Sequence, residues 1–166
     1  MSTSFRPSEP RDVAAVTAIY AHYVLTHTAT FELEPPDAAE MARRRRDVVE
    51  AKLPWWVACD GDEVLGYCYA APYRARPAYR YTLEDSIYLA PAHVGRGVGK
   101  ALLEAVIGVC AAGGYRELIA VVGDSANLPS IRLHERLGFR TIGTHTNVGF
   151  KFGRWLDTVH LQRSLA

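Results

Sequence analysis

The sequence predicts a mixed α/β domain in which helices flank a central β-sheet, and three observations carry that prediction. At 166 residues the chain is long enough to bury one core and too short for two domains of ordinary size. Apolar residues make up 49% of it and run along its whole length, which is the composition of a folded chain. Segments of helical and of strand spacing follow one another as helices, hairpin, strand, helix, strand, helix, strand, an order that is not a repeated βαβ array. One domain over residues 1–166 is therefore expected.

The elements follow in order. "PRDVAAVTAIYAHYV" places Val13, Val16, Ile19, Tyr20 and Tyr23 on one helical stripe, opened by Pro10 and Asp12. "PDAAEMARRRRDVVEAKL" is a second helix, and its Arg43–Arg46 run sits among Glu40, Asp47 and Glu50, so a solvated helix face is expected. A formal net charge of +1 agrees, offering no field for nucleic acid. "WWVACDGDEVLGYCYAAPY" reads as two antiparallel strands turning at "DGDE", with adjacent Trp55 and Trp56 pointing to opposite faces. "RYTLEDSIYLAP" is a strand ending at Pro91. From about Gly97 to Ala112, Val98, Leu102, Val106, Val109 and Cys110 line one helical face. "RELIAVVG" is a buried strand, "NLPSIRLHERLGF" a short helix stopped by Gly138, and "WLDTVHLQRSL" a last strand.

Three cysteines, Cys59, Cys68 and Cys110, are an odd number without CxxC spacing, so neither a disulfide framework nor a metal site is expected. "MSTSFRPSEP" has no apolar leader, and no apolar run nears the roughly 18 residues of a membrane span. A cytoplasmic protein with no membrane partner is the expectation.

The densest signal is "HVGRGVGKALLEAV", where Gly95, Gly97 and Gly99 lie between a strand and a helix. Such a turn exposes backbone N–H groups with the positive helix end behind them, which suits a phosphate or pyrophosphate. A nucleotide-kinase phosphate loop is excluded, because three residues rather than four separate Gly95 from Gly99 and Ala101 follows Lys100. A dinucleotide loop is excluded too, since the third glycine comes one position early.

"GRGVGKALL" instead resembles the pyrophosphate loop of the acyl-CoA-dependent N-acetyltransferase superfamily. "YTLEDSIYLAPAHVGRGVG", "VVGDSANLPSIRLHERLGF" and "GFKFGRWLDTVHLQ" are similar to phosphinothricin N-acetyltransferases and to relatives acting on methionine sulfone and sulfoximine, and the similarity runs over essentially the whole chain. It implies the GCN5-related N-acetyltransferase fold, a mixed central β-sheet flanked by helices, with acetyl-CoA as co-substrate, no metal, and a homodimer because relatives pair. One departure is Val94, where the family has Arg or Gln; backbone amides make most of that grip, so a weakened contact is expected.

Acetyl transfer needs a neutral amine, a held thioester and help for the carbonyl oxygen as it gains charge. Strand alternation puts Glu84 and Ser86 on one face, Asp85 and Ile87 on the other. Glu84 matches the family's general base, with Asp85 as the alternative. The resemblance implies that strand backbone at Ile87, Tyr88 and Leu89 meets the pantetheine chain, with the Leu89 N–H facing the developing oxyanion. Gly95, Arg96, Gly97, Val98, Gly99 and Lys100 are the expected pyrophosphate contacts, with Asn127 and Ser130 further along the cofactor; Asn127 reads equally as a helix cap. His134 stands where the wider superfamily has a Tyr that protonates the leaving thiolate, and a half-buried structural His is the alternative.

For the substrate, Arg74 falls where relatives hold an amino acid's carboxylate, a task suited to bidentate guanidinium geometry, and Ala75 and Arg76 follow it. Phe31 and Tyr73 are expected as pocket walls beside Glu84, Asp85 and Ser86, while Lys151 is open between a substrate contact and a dimer contact. Two other classes stand beside this one. A non-catalytic acyl-CoA sensor would share the loop without turnover. A hydrolase built on "GDS", Gly123–Ser125, lacks the GxSxG turn.

Overall fold

The computed structural model describes residues 3–166. The strands are β1 (Thr3–Pro7), β2 (Trp55–Asp60), β3 (Glu63–Pro72), β4 (Thr82–Leu89), β5 (Glu117–Gly123), β6 (Arg140–Lys151) and β7 (Arg154–Ser164); the helices are α1 (Val13–Thr26), α2 (Ala38–Glu50), α3 (Val98–Ala112) and α4 (Leu128–Arg136). The strands form one seven-stranded sheet in the order β1-β2-β3-β4-β5-β7-β6. Every neighbouring pair is antiparallel except β4 and β5, which are parallel.

Two strands were not expected. β1 precedes the first helix and pairs with β2, so the chain does not open on a helix. Its "TSFRP" has no apolar alternation, and only pairing reveals it. β6 is twelve residues long and almost wholly exposed, so it carries no apolar period; β7 alone specifies it. The β2–β3 hairpin turns as expected at Gly61, whose φ of +58° suits glycine.

Each face of the sheet takes its own helices. Tyr88 meets Tyr20 of α1 edge-on at 5.1 Å between ring centroids, and Trp55 stacks on Tyr69 at 4.2 Å, so an aromatic layer fills the α1–α2 side. Leu102, Leu103, Val106 and Cys110 of α3 are fully buried against the opposite face. The stripe that predicted α3 thus becomes core, apart from Val109, which is half-buried.

The arginine run of α2 is more committed than a solvated face. Asp37 caps the helix by accepting from the Glu40 N–H at 2.8 Å. Arg43 pairs with Glu40 and Asp47, Arg44 forks onto Glu32 at 2.6 and 3.0 Å, and Arg45 donates to the Ser8 hydroxyl at 2.7 Å. Two of the four arginines therefore tie α2 to neighbouring loops.

Candidate active site

The parallel pairing of β4 with β5 lasts for four residues, Thr82 opposite Glu117 through Asp85 opposite Ala120. Beyond that point β4 runs on to Leu89 and β5 to Gly123 without pairing, and a gap opens between them. A cavity of about 700 Å³ fills the gap. Its backbone lining follows from antiparallel alternation: the Ala90 N–H donates to Leu65 O of β3, so Ile87 and Leu89 turn their N–H and C=O groups the other way, into the gap. The Tyr23 hydroxyl reaches across from α1 and donates to Leu89 O at 2.7 Å.

At one end of the cavity lies the glycine loop. Gly95 and Gly97 have φ of +80° and +82°, conformations that a side chain disfavours, and Gly97 is the N-cap of α3. The first bond inside α3 runs from Ala101 N to Gly97 O, which leaves the amides of Val98, Gly99 and Lys100 without helical acceptors. They make an anion cradle at the positive end of the helix. Gly99 keeps the loop close to β4, since a Cβ there would stand 3.1 Å from Leu89 Cδ1.

The expected residues divide by position. Phe31, Glu84, Asp85, Ser86, Ile87, Tyr88, Leu89, Gly95, Gly97, Gly99, Lys100, Asn127, Ser130 and His134 line the cavity. Tyr73, Arg74, Ala75, Arg76, Arg96 and Val98 do not. The Val98 side chain is core, and Arg96 is exposed. Arg74 lies exposed over the Tyr73 ring, 4.9 Å from its centroid. Its charge still reaches Glu84, where it opposes the other influences on that carboxyl.

Glu84 and Asp85 have different surroundings. Glu84 is half-buried at the cavity, and burial first, then the neighbouring Asp85 charge, raise its carboxyl above the usual range. Asp85 is buried on the α4 side, where its Oδ2 lies 2.9 Å from His134 Nε2. His134 is 3% exposed, and its Nδ1 donates to Ser130 O at 2.7 Å. Burial pulls the imidazole down, but the charge and hydrogen bond of Asp85, with Ser130 O, outweigh it and raise His134. Asn127 does cap α4, accepting from the Ser130 N–H at 3.4 Å, and its Nδ2 also donates to Gly123 O at 3.2 Å.

The segment between α1 and α2 forms the far wall, and its anchors escaped sequence reasoning. Lys151 is buried, and its ammonium donates to His27 O and Thr30 O, each at 2.8 Å. Thr28 donates to Asp124, and Tyr20 bonds Thr30 Oγ1 at 2.8 Å. Phe31 then wedges its ring between Gly123 and Gly149. Lys151 thus braces the wall from behind, buried from solvent. Tyr23, His27 and Arg136 also line the cavity without having been singled out; Tyr23 carried only a core signal, as part of the α1 stripe. The Ser125 hydroxyl donates to Asp157 at 2.9 Å, and both His134 nitrogens bond elsewhere, so "GDS" has no Ser–His pair. Among the described residues no cluster of His, Cys, Asp and Glu is suited to hold a metal ion, and no helix is long and apolar enough to cross a membrane.

Residues 16–139 match the model of the acetyltransferase (GNAT) family. The chain belongs to this family. The GNAT relatives include the phosphinothricin N-acetyltransferase of Alcaligenes faecalis, 54% identical over 93% of this chain and 78% of its own length. The L-methionine sulfoximine/L-methionine sulfone acetyltransferase of Salmonella typhimurium strain LT2 is 37% identical over 98% of this chain and 94% of its own. Among solved structures, the GNAT phosphinothricin acetyltransferase Pat of Sinorhizobium meliloti, in complex with AcCoA, superposes with a TM-score of 0.96 at 45% identity, covering 100% of this chain and 90% of its own. The GNAT fold expected from the sequence is therefore the fold observed.

Proposed function

We propose that this N-acetyltransferase moves the acetyl group of acetyl-CoA to the amino group of a small amino acid analogue, with L-phosphinothricin, L-methionine sulfoximine and L-methionine sulfone as the leading substrates. The observation that carries the reaction is the gap between β4 and β5, with an anion cradle at one end and a half-buried carboxyl, Glu84, on its wall. The substrate class rests on the relatives just described.

In this reading the amides of Gly97 to Lys100 take the pyrophosphate, and the inward-facing groups of Ile87 and Leu89, with Asn127 and Ser130, hold the pantetheine arm. Glu84 accepts the amine proton, a role its carboxyl suits because burial and the Asp85 charge raise it and so make it a stronger base. The Leu89 N–H faces the carbonyl oxygen as it gains charge. His134, the expected proton donor to the thiolate, has both ring nitrogens taken by Ser130 O and Asp85, which favours its structural alternative as a buried histidine of the cavity wall. Phe31 and Ser86 shape the remaining walls, while Arg74, exposed outside the cavity with its charge felt at Glu84, is the proposed partner of the amino acid's carboxylate.

The purified protein is expected to release free thiol from acetyl-CoA, saturably, with each of the three analogues and far more slowly with ordinary amino acids and polyamines. Release with other amines alone would keep acetyl transfer and overturn the substrate class. Binding of acetyl-CoA with no release for any amine would favour the sensor.

The proposal extends to a homodimer, assembled through the edge strand β6. Ile142, Val148, Phe150, Phe152 and Trp155 of the β6–β7 hairpin are each more than half exposed, a patch that a lone chain leaves in water. Sedimentation equilibrium is expected to report twice the 18.4 kDa of one chain; a single-chain mass at micromolar concentration would count against pairing. A cytoplasmic location fits the three buried, unpaired thiols.

A further inference from the structure

We propose that His160 of β7 is a specificity-determining residue for the acetyl acceptor: together with Arg74, it donates a hydrogen bond to the carboxylate of the amino acid whose amine Glu84 receives. The proposal rests on the reading above, in which the acceptor is an amino acid analogue and Glu84 is the base.

Register brings these residues onto one face of the sheet. Glu84 of β4 stands opposite Ile119 of β5, and Ile119 opposite Gln162 of β7. Further along, Val121 stands opposite His160, and Gly123 opposite Thr158. Residues paired directly, or two apart on one strand, point the same way, so His160 and Thr158 share the face of Glu84 and Ser86. Phe31 lies over that face too, since a Cβ on Gly123 would meet its ring at 2.7 Å. Neighbouring strands lie about 4.8 Å apart, so Glu84 and the β7 backbone are about 10 Å apart across β5, a span that two inward-reaching side chains narrow to the size of an amino acid's head.

The same face stays accessible beside the cavity. Leu118, Ala120 and Val122 of β5 are buried on the far side of the sheet, while Ile119 and Val121 are half-buried; on β7, Val159 and Leu161 are buried and Thr158 and His160 half-buried. Val121 and Thr158, the neighbours of His160 across and along the sheet, both line the cavity with Glu84 and Ser86. His160 therefore borders the cavity where it opens onto this face.

Its ring is held, and one nitrogen is left to bind. Nε2 lies 3.2 Å from Thr158 Oγ1. With the Thr158 hydroxyl donating to Nε2, the ring proton sits on Nδ1, which has no hydrogen-bond partner among the described residues. His145 of β6 packs edge-on against the ring at 4.6 Å between centroids, which restricts its rotation.

Charge completes the case. Burial first, then His145 and Arg74, hold the His160 imidazole below its usual value, and no carboxylate is among the groups that act on it. Arg74 also acts on Glu84, so one guanidinium lies within electrostatic range of both the base and the histidine. The face is thus bipolar, with an acidic group on β4 and unneutralised donors at Arg74 and His160. An α-amino acid carries the complementary pair, an amino group and a carboxylate on one carbon. An amine without a carboxylate would leave the donors unpaired.

The test compares L-methionine sulfone with its carboxamide as acceptors for the wild type and for His160→Phe, which keeps a ring against His145 and removes the donor. In His160→Phe, KM for methionine sulfone is expected to rise about tenfold, the loss of a hydrogen bond to a charged group, and KM for the carboxamide by less than about twofold, with KM for acetyl-CoA unmoved. His160→Gln, which keeps an N–H donor, is expected to recover part of the loss. Independently of turnover, ¹⁵N-histidine NMR of the wild type with coenzyme A is expected to show His160 titrating at higher pH when methionine sulfone is added, because a carboxylate favours the imidazolium, and unmoved by the carboxamide. Equal losses for the acid and the carboxamide, or a His160 titration that the acid does not shift, overturn the proposal and leave acetyl transfer standing. If His160→Phe does not fold, the wild-type titration decides alone. Failure to acetylate any amino acid analogue sinks the functional reading, and this inference with it.

Discussion

Replacing Glu84 by Gln is expected to lower kcat by about 10²–10⁴-fold while leaving acetyl-CoA binding almost unchanged. The carboxyl sits on the cavity wall and not on the glycine loop proposed to take the cofactor's pyrophosphate, so the loss falls on proton removal from the amine. Gln keeps the volume and one acceptor oxygen but cannot take a proton. Because burial and the Asp85 charge raise Glu84, the wild-type rate is expected to rise with pH through a limb above the ordinary glutamate range of about 4.3. The sign follows from the working form: the ionised carboxylate is the base, so activity appears as pH climbs through the raised value. In Glu84→Gln that limb disappears. Steady-state kinetics across pH, beside equilibrium dialysis with coenzyme A, check both halves. Turnover within a few fold of wild type would move the base elsewhere.

Gly149→Ala is expected to be the most damaging small substitution in the pocket wall. A Cβ at 149 would stand 2.4 Å from Phe31 Cε2 and 2.6 Å from Cδ2. The ring has little room to retreat, because its other edge packs so close to Gly123 that a Cβ added there would stand 2.7 Å from Phe31 Cε1. One methyl therefore displaces Phe31, or the segment behind it that Lys151, Asp124 and Tyr20 hold in place. Overpacking of this kind costs about 1–3 kcal/mol. For a chain of this size each kcal/mol lowers Tm by roughly 2–4 °C. Since Phe31 faces the cavity, KM for the amine is expected to rise more than KM for acetyl-CoA. Phe31→Leu in the same chain is expected to relieve part of the thermal loss, and a strictly additive double mutant would refute the wedge. Thermal melts and two-substrate kinetics on the four proteins measure it.

What was legible in the sequence has a common character. The helix α3, the hairpin at Gly61 and the cap at Asn127 depend on residues a few positions apart, whose spacing, φ preference and capping chemistry act locally. The glycine loop belongs with them, because Gly95 and Gly97 are required by backbone conformation and not by a distant partner. Alternation along "EDSIYL" also put Glu84 and Asp85 on opposite faces, which the structure bears out through the bond from Asp85 to α4. Both neighbours lie in one strand, so period two suffices.

By itself, then, the sequence determined the fold class, the family and the glycine loop that opens α3. The tertiary structure decided the partners. β1 and β6 are strands only because β2 and β7 lie beside them, since neither buries an apolar face that would leave a period. His134 meets Asp85 across 49 positions, and Lys151 meets His27 across 124, separations over which no spacing rule operates. Each such contact exists because the folded sheet and its helices bring distant chain into a space that excludes water, where a buried charge or donor must find a partner.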